Sequence, residues 1–440
     1  MNILPRWNRH CILIGAAVVI LCRSQLSAAD AIWQYHITCP RDPDKRHRPR
    51  QPADVFLWIP PHVHTLRAIL IGGRIGIESE LVVDPQIRNV CRKDRAGIVY
   101  FSPHPMAVFH YWQQENQDAQ RLLDVLARLA EISGHEEIRR IPWITIGHST
   151  AGIFARNVAY WNPNRTAAVI HIKSGNFHQQ QHLPPHGTLA GIPLLAINGQ
   201  FETFGPEGGL KPHLGRETQW VCVREDIQKF RRRDPNHLMS LLVQPGADHF
   251  HGAPSLAACI ALFIRKTMRY RVPQQLPPGD QPVQCLKLQA TDGWLSDPDF
   301  YHPTHPPAPY TQYSGDPVLA MWHYDKEMAE TVCRFMRNLD KHQVLATPSI
   351  QWLDVADGWS FTVKSSFLDK IPVKYGGHIA GRQVAHSSAP ICYFARINEP
   401  LKQITANRFQ LLRPIPRFSV AAYHPGDDHF RSTIRWRTIP

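Results

Sequence analysis

From about residue 53 to 268 the chain alternates short β-branched runs with stretches of helical period, and this alternation limits the fold more than any other feature. DVFLWIP (54–60), LRAILIGG (66–73), AGIVYFS (96–102), IPWITIG (141–147), AAVIHIK (167–173), IPLLAING (192–199) and LMSLLVQ (238–244) read as strands. Between them, Leu122, Val125, Leu126 and Leu129 form one apolar stripe with Gly134 as a C-cap, and Leu256, Cys259, Ile260 and Phe263 repeat the pattern over 255–268. The expected class is α/β, a mostly parallel sheet flanked by helices.

The alternation stops at RVPQQLPPGDQP (271–282), a proline-rich linker in a chain with 38 prolines. Beyond it, CLKLQA, SIQWLDV, WSFTVKS, ICYFARI, RFQLL and FSVAAY are β-like, and only 316–342 reads as a long helix. The expected organisation is an α/β domain over 30–270, the linker at 271–282 and a C-terminal β-rich accessory domain over 283–440, a sandwich holding one helix.

Residues 1–29 read as a signal peptide. Arg6, Arg9 and His10 precede the apolar run 11–21, which is short for a membrane span, and small residues follow up to Ala29. Cleavage there leaves an exported chain, periplasmic or secreted, starting at Asp30 and without a stable membrane span. The nine cysteines become seven, none in a C-x-x-C pair or zinc-like cluster, so no metal is expected; disulfides stay open in an oxidising compartment. The formal charge of +13 falls to +10 with Arg6, Arg9 and Arg23 gone. Basic runs at 41–50 and 231–234 have no aromatic interleaving, which favours solvated surface over a nucleic-acid groove.

The chemistry begins at GHSTAG (147–152), where IPWITIG meets a helix-like IFARNVAYW. A nucleophilic serine needs a sharp strand-to-helix turn with small residues on either side. Gly147 and Ala151 stand two before and two after Ser149; Ala151 replaces the usual glycine, and Gly152 follows one step later. Ala151, Ala155 and Ala159 at helical spacing would let that helix lie close to the sheet.

An oxyanion hole would combine the backbone N–H of Thr150 with one from Gly73 or Arg74, at the end of AILIGG. The same GGRIG lacks the G-x-G-x-x-G spacing of a dinucleotide loop. The acid is Glu202, three residues past Gly199, preferred over Glu207 because it lies nearer the strand end; the base is His249, in PGADHF directly after LMSLLVQ.

The chain repeats P-G-x-D-H-F around His429, but that histidine lies past the linker, without a closing helix, and reads as a polar turn. His251, two after His249, and the His62/His64 pair have metal-like spacing without further partners. His148 reads as packing or lining the pocket.

Taken in order, GHSTAG, INGQFE and PGADHF give the 53–268 region a resemblance to α/β-hydrolase serine esterases, in particular the exported esterase and polyhydroxybutyrate-depolymerase-like group. The resemblance implies a Ser149–Glu202–His249 triad, an acyl-enzyme, no cofactor and an ester substrate, including acylated polysaccharide or polyester. The expected alternative is a non-catalytic surface-binding protein on the same scaffold, with peptidase activity a third reading.

Overall fold

The structure, a computed structural model, describes residues 33–337 except 40–51, 74, 103, 114–116, 176–182, 203–218, 248, 250 and 251; beyond 337 it describes the backbone of nine short strands. The signal segment and the basic run 41–50 lie outside the described residues.

Eight strands form one sheet: β1 (Tyr35–Cys39), β2 (Ala53–Trp58), β3 (Ala68–Gly73), β4 (Ala96–Ser102), β5 (Trp143–His148), β6 (Thr166–Ile172), β7 (Leu194–Gly199) and β8 (Met239–Gln244). Their spatial order is β1-β2-β4-β3-β5-β6-β7-β8. β2 runs antiparallel to β1 and β4, and from β4 onward every pairing is parallel. This is a mostly parallel α/β sheet, the class the sequence leads one to expect. The seven strands read from the sequence are all present; β1 was not read, because YHITC is short and only half buried at an edge.

Every residue from β2 to β8 is buried, since helices cover both faces. Alternation within strands divides the core in two: Ala68 and Leu70 face one layer, Ile69 and Ile71 the other. The covering elements are α1 (Glu78–Leu81), α2 (Pro85–Asp94), α3 (Asp118–Ser133), α4 (Thr150–Trp161), α5 (Gln219–Arg233) and α6 (Pro254–Tyr270). The stripes of α3 and α6 are buried as expected, and Gly134 closes α3 at φ 72°.

Three sequence expectations change. Residues 283–337 do not stand apart from the sheet: Leu295, Met321, Trp322, Met328 and Val332 belong to the same buried cluster as Leu195, Leu242 and Ile260. The long helix read at 316–342 is broken. Met321–His323 pairs as a strand with Trp294–Ser296, and a shorter helix α7 (Lys326–Phe335) restarts where the Asp325 carboxylate caps the Met328 N–H at 3.0 Å.

The basic run 231–234 is also not wholly solvated surface. Arg231 is fully buried at the end of α5, donating to the carbonyls of His237 at 2.9 Å and Pro317 at 2.7 Å. Cys91, Cys259, Cys285 and Cys333 are free thiols. Beyond 337, the strands form one four-stranded and one five-stranded sheet.

Candidate active site

Four loops at the C-terminal ends of β3, β5, β7 and β8 meet at one edge of the sheet, the usual location of function in an open parallel sheet. At the end of β5 the chain turns within one residue into α4. Ser149 sits there at φ 55° and ψ −129°, a region that costs a non-glycine residue about 1–3 kcal/mol. The turn is held by two hydrogen bonds, from Ser149 N–H to the Ile172 carbonyl and from Gly152 N–H to the Ser149 carbonyl, both at 2.9 Å. Strain of this kind persists where it presents a side chain, and here it presents the Ser149 hydroxyl, half-buried above the sheet.

The small residues around Ser149 have distinct steric reasons. A Cβ at Gly147 would come within 1.9 Å of the Ala151 carbonyl oxygen, so the turn cannot close with any larger residue there. A Cβ at Gly152 would lie 2.3 Å from Cβ of Ser174, on the loop after β6. The demand for glycine therefore falls one residue later than in the usual motif, and the Ala151 methyl is accommodated in the core. Ala151, Ala155 and Ala159 are all buried, as their spacing implied.

Glu202 and His249 form a direct pair. The His249 Nδ1 is 2.7 Å from Glu202 Oε1, with both side chains almost fully buried. The second carboxylate oxygen accepts from Asn198 Nδ2 at 3.0 Å and from the Gly199 N–H at 3.1 Å. A carboxylate so surrounded by donors accepts the Nδ1 proton, which leaves Nε2 as the basic nitrogen.

The two loops are also sewn together. Gln200 N–H donates to the Gln244 carbonyl at 3.0 Å, Phe201 N–H to the Ala247 carbonyl at 2.9 Å, and Gly246 N–H to the Gln200 side chain at 2.9 Å. Gly246 adopts φ 68°, which turns the chain out of β8 toward the site.

His249 reaches the serine's neighbourhood through His148. The His148 Nε2–H donates to the His249 carbonyl at 2.7 Å, and the two rings lie 4.7 Å apart. Among the described residues no hydrogen bond joins Ser149 directly to His249; in ligand-free sites such bonds are often long and tighten on substrate. His148 is thus buried beside the site, in keeping with packing or lining, and it also braces the histidine loop, a role the sequence did not suggest.

On the oxyanion side, Thr150 opens the twelve-residue α4, where first-turn N–H groups lack intrahelical acceptors and the helix dipole favours negative charge. Gly73 ends β3 beside β5, and a Cβ on it would lie 2.5 Å from the ring of His104, a buried histidine the sequence did not single out. Arg74, Glu207, His251 and His429 lie outside the described residues, as does the side chain preceding His249.

Sequence reasoning also passed over Glu78. This fully buried carboxylate accepts the His148 N–H at 2.6 Å and the Gly76 N–H at 2.7 Å. Burial pushes it up to about 7, against the downward pull of those backbone donors. Beside Gly152, His171 is held down to about 3 by burial and the nearby Arg156 guanidinium, so it is neutral. Among the described residues no group of three or more His, Cys, Asp or Glu could hold a metal ion, and no helix is long and apolar enough to cross a membrane.

No protein-family model matches the chain, and no curated protein matches it. Solved structures similar to it include poly(aspartic acid) hydrolase-1 from Sphingomonas sp. KT-1, at 14% identity and TM-score 0.34, covering 49% of this chain and 93% of that one. The poly(3-hydroxybutyrate) depolymerase LpqC from Bordetella parapertussis is 14% identical with TM-score 0.35, covering 54% and 91%. Est1E from Butyrivibrio proteoclasticus is 10% identical with TM-score 0.34, covering 53% and 97%. At these levels the likeness carries no argument about activity, which rests on the site itself.

Proposed function

We propose that this chain is an exported serine hydrolase that cleaves carboxylic esters through Ser149, Glu202 and His249. The observation that carries the reading is the strained Ser149 turn in the same loop cluster as a buried His249–Glu202 pair. A scaffold kept for binding alone gains nothing from holding a non-glycine residue at φ 55°, which opposes stability.

In the proposed reaction, His249 Nε2 takes the Ser149 hydroxyl proton as Oγ bonds to the ester carbonyl carbon. The carbonyl π electrons move to oxygen, and that oxyanion is met by the Thr150 N–H and a second donor at Gly73 or Arg74. Collapse of this intermediate breaks the ester C–O bond, and the alcohol leaves with the proton from His249. Water then adds to the acyl-enzyme, giving its proton to His249; release of the acid returns that proton to Ser149. Glu202 orients the ring and stabilises the imidazolium throughout. These steps need no cofactor.

Polymeric esters, acylated polysaccharide or polyester, are the proposed substrates, with the C-terminal strands helping to hold them. The leader 1–29 supports export. The reading is tested by a fluorophosphonate serine probe together with p-nitrophenyl esters of increasing chain length. Labelling at Ser149 with ester turnover supports it, and an unlabelled, inactive, folded protein contradicts it.

A further inference from the structure

The Glu78 carboxylate lies between two loops that the reaction uses. Its Oε1 holds the backbone of His148, the residue before Ser149; its Oε2 holds the Gly76 N–H at 2.7 Å and the Ile75 N–H at 3.4 Å, in the turn that follows Gly73. That turn and the end of β5 are pressed together, since a Cβ on Gly76 would come 2.1 Å from His148 Nδ1. His148 in turn holds the histidine loop through the His249 carbonyl. Three loops from β3, β5 and β8 are therefore joined through one carboxylate and one imidazole.

We propose that Glu78 is a positioning residue for acyl transfer, its two oxygens fixing the turn after β3 against the nucleophile turn so that the oxyanion donors on either side of Ser149 keep one separation. The inference rests on the serine-hydrolase reading above. A carboxylate suits the task because both of its oxygens accept. An amide offers one oxygen and one NH2 group, so it would set N–H against N–H on one of the two loops. An oxyanion forms only in the transition state, and misplaced donors weaken that state while leaving ground-state binding intact.

The test compares the full-length wild type with Glu78→Gln, using fluorophosphonate labelling, p-nitrophenyl ester kinetics and affinity for an alkylboronic acid that forms a tetrahedral adduct with the serine. Expected is a fall in kcat of roughly 10²-fold, comparable to loss of one oxyanion donor, with KM within about threefold and boronate affinity reduced in step with kcat. If Glu78→Gln does not fold, Gly76→Ala is read instead; it leaves the carboxylate in place and forces the turn off His148, and the same kcat-selective loss is expected. A folded variant with kcat within about twofold of wild type, or one that loses KM and kcat alike without a selective loss of boronate affinity, overturns the positioning role. A wild type that the serine probe does not label overturns the hydrolase reading itself, and the inference with it.

Discussion

Glu202 and Glu78 flank the Ser149 turn from opposite sides, one after β7 and the other after β3, and each is almost wholly buried. Each accepts backbone N–H groups, yet their surroundings differ in one respect. Glu202 also faces an imidazole at 2.7 Å, whereas among the described residues the hydrogen bonds that Glu78 accepts come from backbone N–H groups. Backbone dipoles offset part of the desolvation of a buried carboxylate, and burial still pushes Glu78 up to about 7. A carboxylate beside a ring that becomes positively charged can follow a reaction; one held by peptide groups can only hold a shape. The comparison teaches that burial alone does not assign a role, and that the partner's ability to change charge does.

The largest expected effect comes from removing the ring that separates the two cases. His249→Ala leaves Glu202 with Asn198 and Gly199 as donors, a surrounding like that of Glu78, and removes the proposed base. Ester hydrolysis should fall by about 10⁴-fold or more, measured as kcat/KM, while the protein still folds. Activity within tenfold of wild type would show that another group accepts the serine proton.

Glu202→Gln comes next. The amide can present its NH2 to Nδ1, which favours the wrong tautomer, and kcat should fall by about 10³–10⁴-fold with the pH dependence of the remaining activity altered. If Glu207 rather than Glu202 were the acid, Glu202→Gln would cost little and Glu207→Gln would carry the loss.

The third effect is on stability. Because Glu78 is raised from 4.5 to about 7 in the folded protein, the native state binds its proton more tightly than the unfolded chain. Its contribution is fully present below the unfolded value and is lost as pH rises through the folded one, with a slope approaching about 1.4 kcal/mol per pH unit between them. Subtracting the Glu78→Gln unfolding curve from that of wild type, across pH 4.5 to 7, should isolate that slope. A difference flat with pH would mean that Glu78 is ionised in both states.

The smallest effect expected is that of His429→Ala. Despite the shared P-G-x-D-H-F sequence, its kcat/KM should stay within about twofold of wild type, since the proposed triad is complete without it.

How much of this was legible in the sequence follows from how local each signal is. GHSTAG carries its own steric logic, because Gly147 meets the carbonyl only four residues on. Glu202 and His249 follow strands whose unbroken apolar runs mark them, so chain order alone brought them to one edge. Glu78 was invisible because its meaning is non-local: acids open many helices, and only the fold brings position 78 to the backbone of His148, seventy residues on. The false helix at 316–342 fails for the opposite reason. Its period is genuine, yet the backbone of Met321–His323 finds a strand partner in Trp294–Ser296, and that pairing outweighs propensity. Residues 283–337 share the sheet's core despite the proline-rich linker, because such a linker marks a loop and a loop does not by itself divide a core.

The most direct test of the account is the mass of the acyl-enzyme. Wild-type protein is mixed with a p-nitrophenyl ester, quenched in acid within the first turnovers and digested. The peptide containing Ser149 should carry the acyl mass, in step with a burst of p-nitrophenol, and Ser149→Ala should show neither. Turnover that persists in Ser149→Ala, or an acyl group found on any other residue of an active protein, would contradict the assignment of Ser149 as the nucleophile.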